Sequence, residues 1–209
     1  MEQKIKIVIS ELEKLYKEPR CGLFWEGDPY RLLIMSILSA QCTDARVNLV
    51  AKTLFDRFPT VYDMAKADLN EIEKEIRSVG LYHSKAKALK DCSVRVCEVF
   101  GGKVPSEMED LLSLRGVGRK VANLLRGDIY NLGGIVADTH CIRITNRLGF
   151  TEGKDPLKTE RALSKLVPLE KQSDFCHRIV LFGREICIAR SPKCEECVLK
   201  EICDFYQKV

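Results

Sequence analysis

Leu114-Arg115-Gly116-Val117-Gly118-Arg119-Lys120-Val121-Ala122 is the stretch on which the reading of this chain turns. Helix-patterned segments flank it, one ending near Leu114 and one starting at Arg119, so it is a tight connection between two helices. Two glycines one residue apart allow positive φ and close backbone approach. Val117 between them is an apolar plug. The second helix starts at once, and the amides of its first turn point out of the hairpin, where they suit a phosphate. From Arg115 to Gly127 the charged residues are Arg115, Arg119, Lys120 and Arg126, with no acid among them. Contact with a nucleic-acid backbone follows, although a Gly-x-Gly corner also serves any two helices that must pack closely.

Outward from the hairpin, the chain reads almost entirely as helix. Upstream, Ile5, Val8, Ile9, Leu12, Leu15 and Tyr16 recur at three- and four-residue spacings over residues 3–17, and Pro19 ends that helix. Pro29 opens a helix that is apolar on most faces and therefore central to a core. Thr43 or Asp44 caps a helix that runs to Phe58, and shorter helices are expected over 60–65 and 68–78. Ser84 begins a helix to Phe100, closed by Gly101-Gly102. Downstream of the hairpin, the helix from Arg119 fades by Asn131-Leu132-Gly133-Gly134. Asp138 caps a helix through Leu148, and two more follow over 156–167 and 172–186. No stretch alternates polar and apolar residues as a half-buried strand must, so the fold is all-α. Gly133-Gly134 is the best interior candidate for a domain crossing.

The whole chain has 209 residues, enough for one compact domain or two small ones. With 45% hydrophobic residues it can bury a core, which excludes wholesale disorder. Lysine and arginine number 34 against 30 acids, a net charge of +4, which permits a polyanionic partner without requiring one. No apolar run approaches the roughly 20 residues that span a bilayer. No export signal is legible before Glu11 and Glu13, so the expected address is the cytoplasm, at the nucleoid if the partner is DNA.

Ten cysteines are present. Cys21, Cys42, Cys92, Cys97, Cys141 and Cys176 are scattered among apolar neighbours and read as small buried hydrophobes. The other four crowd the C-terminus as Cys187-x6-Cys194-x2-Cys197-x5-Cys203. In a reducing compartment disulfides explain them poorly, whereas four thiolates on a short loop can surround one metal centre. Tetrahedral zinc and an iron–sulfur cluster both fit thiolates. Zinc sites more often show two close pairs, and only one exists here, so the spacing leans toward iron and sulfur.

Together the hairpin, Val136-Ala137-Asp138-Thr139-His140 and the x6-x2-x5 cysteines resemble endonuclease III, of the helix–hairpin–helix DNA glycosylases. The likeness also covers Leu38-Ser39-Ala40-Gln41-Cys42-Thr43-Asp44 and Gly80-Leu81-Tyr82-His83-Ser84-Lys85-Ala86, and so extends from about residue 22 to the C-terminus. It implies two helical lobes flanking a DNA-binding cleft: residues 22–132 as a six-helix lobe, and residues 1–21 with 133–209 as a cluster lobe. It implies a monomer that excises oxidised pyrimidines from duplex DNA and nicks the strand at the resulting abasic site, with no membrane partner. By position, Lys120 corresponds to the catalytic lysine and Asp138 to the catalytic aspartate. Gln41 and Leu81 match residues that enter the base stack, and Ser39, Asp44 and His140 match residues lining the lesion pocket. Gly116, Gly118 and Arg119 grip DNA, and Cys187, Cys194, Cys197 and Cys203 hold a [4Fe–4S] cluster. The family usually has proline after the leucine of the hairpin. This chain has Arg115, which gives up a pre-set turn and adds a charge.

The chemistry needs these residue types. A neutral lysine amine can displace a damaged base at the sugar C1′, and a fixed carboxylate can accept a proton and stabilise positive charge growing on the sugar. The target base must leave the stack, for which Leu81 is an apolar wedge and Gln41 a filler of the vacated space. Two rivals remain: a monofunctional glycosylase of the same fold that uses water, and a non-catalytic helix–hairpin–helix module braced by its metal. The lysine at position 120 argues against the first, and borohydride trapping separates the second.

Overall fold

The computed structural model describes residues 1–208, and these contain no β-strand. The chain divides into two compact units, Cys21–Tyr130, and Met1–Arg20 together with Asn131–Val209.

The unit of residues 21–130 holds seven of the helices. α2 (Pro29–Leu38) starts where the sequence prescribes: Pro29 sits in the first turn and Asp28 accepts the Tyr30 amide at 2.9 Å. Every residue from Leu32 to Leu38 is buried, so α2 is the axis of the unit. α3 (Asp44–Arg57) is capped by Thr43. α4 (Val61–Lys66) opens on a reciprocal capping box between Thr60 and Asp63. α5 (Leu69–Ile76) and α6 (Tyr82–Phe100) follow, and α7 (Met108–Leu112) and α8 (Arg119–Tyr130) enclose the hairpin. α2 packs on α3, α6 and α8.

α6 departs from expectation. It begins two residues before Ser84, at Tyr82, from Leu81 in the left-handed conformation at φ 60°, with no side-chain cap. Helix caps are usually side chains such as serine; here backbone conformation alone turns the chain into the helix.

The other unit joins α1 (Glu2–Leu15) to α9 (Thr139–Arg147), α10 (Pro156–Leu166) and α11 (Gln172–Glu185). α11 packs on both α1 and α9. Polar ties add to the apolar contact: Arg178 Nε donates to the Tyr16 carbonyl at 3.0 Å, Tyr16 Oη to Glu185 at 2.9 Å, and Lys171 Nζ to Glu13 at 2.9 Å. Lys4 pairs with Asp204, next to Cys203. Among the described residues no helix is long and apolar enough to cross a membrane.

Candidate functional site

In the hairpin, Leu114 and Val117 are both buried, and the Val117 amide donates to the Leu114 carbonyl at 3.1 Å. The two glycines differ. Gly116 has φ +85°, and a Cβ there would lie 3.0 Å from Ile37 Cγ2 and 3.3 Å from Ala88 Cβ. It is needed for the turn and for packing on α2 and α6. Around Gly118 a Cβ would meet nothing within 4 Å. α8 makes its first internal bond from the Ala122 amide to the Gly118 carbonyl at 2.9 Å, so the amides of residues 119–121 lie ahead of its ladder. Arg119 and Lys120 are exposed in that turn.

Two basic residues near the hairpin are engaged elsewhere. Arg115 pairs with Asp91 of α6 at 2.8 Å, so the charge that replaces the usual proline is offset. Arg126 donates to the Ser106 carbonyl at 2.8 Å.

Ser39 and Gln41 lie in the turn from α2 to α3, and Asp44 is the first residue of α3. Ser39 Oγ donates to the Ser36 carbonyl at 2.8 Å. Gln41 is exposed and held at φ 54°. Asp44 stands over Gly22, where a Cβ would meet Oδ2 at 2.5 Å. Leu81 is 64% exposed. Left-handed backbone at non-glycine residues costs about 1–2 kcal/mol each, so Gln41 and Leu81 are held in place by their surroundings. One such support was not foreseen: Lys85 is buried, and its ammonium donates to the carbonyls of Leu38 at 2.9 Å and Ala40 at 2.6 Å. Burial lowers its pKa from the usual lysine value, and the nearby Cys42 thiol opposes that shift.

Asp138 caps α9. Its Oδ1 accepts the Cys141 amide at 2.7 Å, and Oδ2 accepts no bond from the described residues. The segment before it is pinned to α11: Gln172 Oε1 accepts the Gly134 amide at 2.9 Å, and Cys176 Sγ accepts the Val136 amide at 3.2 Å. Gln172 and Cys176, four apart on one helix face, were legible only as helix-face residues. His140 Nδ1 lies 3.2 Å from Arg143, whose guanidinium also donates to the carbonyls of Gly183 at 3.1 Å and Cys187 at 2.9 Å. A Cβ at Gly183 would fall 2.5 Å from His140 Nδ1.

Cys187, Cys194, Cys197 and Cys203 line one pocket, walled by apolar groups of Ile144, Leu148, Phe182, Leu199 and Phe205. The thiols act on one another: burial, then Cys187 and Cys203, push the Cys194 thiol up, and burial raises Cys197 with all three of the other thiols adding to it. Arg147 braces the loop at both ends. It donates to Cys187 Sγ at 3.2 Å, Ile188 O at 2.8 Å and Ala189 O at 2.8 Å, and its carbonyl accepts from the Cys203 thiol at 3.4 Å. The Leu199 amide donates to Cys197 Sγ at 3.4 Å. Among the described residues no three histidine, cysteine or carboxylate side chains are gathered so as to hold a single ion. One zinc would draw its sulfurs to about 3.8 Å apart, from a Zn–S bond of about 2.3 Å. A shared apolar pocket with N–H donors aimed at sulfur fits a larger, anionic cluster better.

The other cysteines are not part of this loop. Cys92, Cys141 and Cys176 are buried, and burial pushes Cys92 up to about 12, which makes it inert. Cys21, Cys42 and Cys97 are only partly buried.

A hairpin between helices with an exposed lysine in the next turn, in an all-α chain that ends in a four-thiol pocket, defines a helix–hairpin–helix protein with a cysteine-bound cluster. A model of the HhH-GPD superfamily base excision DNA repair proteins matches residues 34–169, and one of the iron–sulfur binding domain of endonuclease III matches residues 187–203. The chain belongs to the endonuclease III family and carries a [4Fe–4S] cluster, and the iron–sulfur match spans the segment from Cys187 to Cys203. It is 42% identical to the endonuclease III of Synechocystis sp. over 202 residues, covering 96% of this chain and 92% of that one. It is also similar to a trapped covalent intermediate of an endonuclease III with DNA, at TM-score 0.93 and 38% identity, covering 100% and 98% of the two chains. A thermostable thymine-DNA glycosylase superposes at TM-score 0.89 with 28% identity, over 99% and 98%.

Proposed function

We infer that this chain is a DNA glycosylase and abasic-site lyase of base excision repair, acting on oxidised pyrimidines and abasic sites in duplex DNA. The observation that carries the reading is Lys120, exposed in the first turn of α8 directly after the hairpin. A covalent complex between DNA and a relative 38% identical supports it, since an amine nucleophile yields such an adduct.

In this reading the backbone at Gly116 and Gly118 and the charge of Arg119 grip phosphates. Gln41 and Leu81 enter the stack as the damaged nucleotide leaves it. Ser39, Asp44 and His140 line the space that receives the base. Lys120 Nζ bonds to C1′ while the N-glycosidic bond breaks and its electron pair departs with the base. The sugar opens to a protonated Schiff base on Lys120. Loss of a C2′ proton then forms a double bond and expels the 3′ phosphate. The Asp138 carboxylate stabilises cationic charge as it grows on the sugar, then takes a proton from the bound amine and passes it to O4′ as the ring opens; Oδ1 is committed to the cap, which leaves Oδ2 for this work. Cys187, Cys194, Cys197 and Cys203 would hold the [4Fe–4S] cluster, which would order the loop that carries them. The acting species is a monomer at the nucleoid.

Lys120→Gln keeps length and polarity and removes the amine. It is expected to bind lesion DNA yet give no borohydride-trapped adduct and almost no strand cleavage. Near-normal trapping would assign the chemistry to another amine. Trapping absent in the unaltered protein as well, with base release intact, would favour a water-using glycosylase; neither trapping nor release would favour a binding module.

A further inference from the structure

Gln41 and Leu81 belong to different segments, forty residues apart, yet both have left-handed backbone and both stand exposed. One side chain connects them. Lys85 lies one turn into α6, and its amide donates to the Leu81 carbonyl at 3.0 Å, the first bond of that helix. Its side chain runs into the interior, and the ammonium ends on the carbonyls of Leu38 and Ala40, 2.9 and 2.6 Å away. Leu38 is the last residue of α2, and Ala40 directly precedes Gln41. A cation on the final carbonyls of a helix satisfies acceptors that the helix leaves open and meets the negative end of its dipole. The rest of the turn is closed locally: the Ser39 amide donates to Met35 O at 2.9 Å, and the Cys42 amide to Ser39 O at 3.1 Å. Lys85 takes two further carbonyls of this turn, those of Leu38 and Ala40.

We propose that Lys85 is a positioning residue for base extrusion: its buried ammonium ties the turn carrying Gln41 to the helix start carrying Leu81, so that wedge and filler enter the duplex as one unit. This rests on the reading that Gln41 and Leu81 enter the base stack. Lys85 touches no substrate. Without the tie, each segment keeps its own residue but loses its register to the other. The loss falls on extruding a paired nucleotide and not on the chemistry at a sugar already exposed.

Lys85→Met keeps the length of the aliphatic stem and removes the charge and the donors. The test uses the cluster-loaded protein and stopped-flow fluorescence of 2-aminopurine placed opposite the damaged base. Lys85→Met is expected to slow extrusion at a paired lesion at least tenfold. Borohydride trapping at an abasic site with no base opposite should stay within about twofold of the unaltered protein. Lys85→Gln, whose amide can still donate, should fall between the two, and it carries the test if the methionine variant does not fold. Gln41→Ala and Leu81→Ala are measured beside them. If those two slow extrusion and both Lys85 variants do not, the positioning role is wrong while the reading beneath it stands. If neither Gln41→Ala nor Leu81→Ala slows extrusion, the underlying reading fails and the proposal with it. Equal losses on the paired and the unopposed substrate would make Lys85 a structural residue only, and overturn the proposal.

Discussion

The two units are of similar length but are not built alike. Residues 21–130 gather 31 buried hydrophobic side chains into one cluster; among the described residues the other unit gathers 16. The smaller core is completed by partly buried Cys187, Cys197 and Cys203, which pack against it. A metal centre that binds only the folded loop adds stability to the unit that holds it. Lys120 stands on the larger hydrocarbon core, and Asp138 on the smaller one, against which the cysteine loop packs. The difference also separates what each unit tolerates.

The largest effect should come from the cluster. Cys203→Ala should abolish the broad visible absorption and lower the melting of the cysteine-bearing unit by more than about 10 °C, while residues 21–130 keep a separate transition near its original temperature. A single transition shifted as a whole, followed by circular dichroism, would break the comparison. Next is Asp138→Asn. Asparagine caps about as well as aspartate, so the melting temperature should barely move, yet excision should fall roughly a thousandfold, or about 4 kcal/mol of transition-state stabilisation. Single-turnover kinetics on a defined lesion measure this. Smaller again is Gly116→Ala: a Cβ at φ +85°, pressed on Ile37 and Ala88, should cost about 2 kcal/mol and lower only the transition of residues 21–130. Smallest in stability is Gly118→Ala, expected within about 0.5 kcal/mol because a Cβ there meets nothing. It should nonetheless weaken binding to damaged and undamaged DNA about tenfold, since there the backbone must approach a phosphate. A titration across salt concentrations checks it, and unchanged affinity would leave the open side of Gly118 without a purpose.

What the sequence disclosed follows from the range of the forces involved. The helix start at Pro29 was legible from the proline itself, and those at Asp44 and Thr139 because Thr43 and Asp138 act on amides three residues away. The cysteine loop was legible because its spacing is local. The start of α6 at Tyr82 was missed because a left-handed leucine, not a side-chain cap, sets it. The anchoring of Lys85 is not legible because its acceptors lie more than forty residues upstream, nor is the pairing of Arg115, because Asp91 is 24 residues before it. Likewise, spacing names the thiols but not Arg147, which braces Cys187 from 40 residues away. The roles given to Lys120 and Asp138 came from the resemblance; taken alone, an exposed helix lysine and a capping aspartate are common.

The smaller unit is assembled from both ends of the chain, and this sets an order on synthesis. α1 is finished by residue 15, but α11, against which it packs, begins at residue 172. At about 5–20 residues per second, the ribosome leaves Ile5, Val8, Ile9 and Leu12 without their partner for roughly 8–30 s. During that interval residues 21–130 are complete, and the 31 buried side chains of their core cluster all come from within them. A nascent amphipathic helix that waits this long for its partner is a natural client for a chaperone that holds short hydrophobic segments. Slowing translation between residues 130 and 172 should therefore cost soluble yield without altering the finished protein.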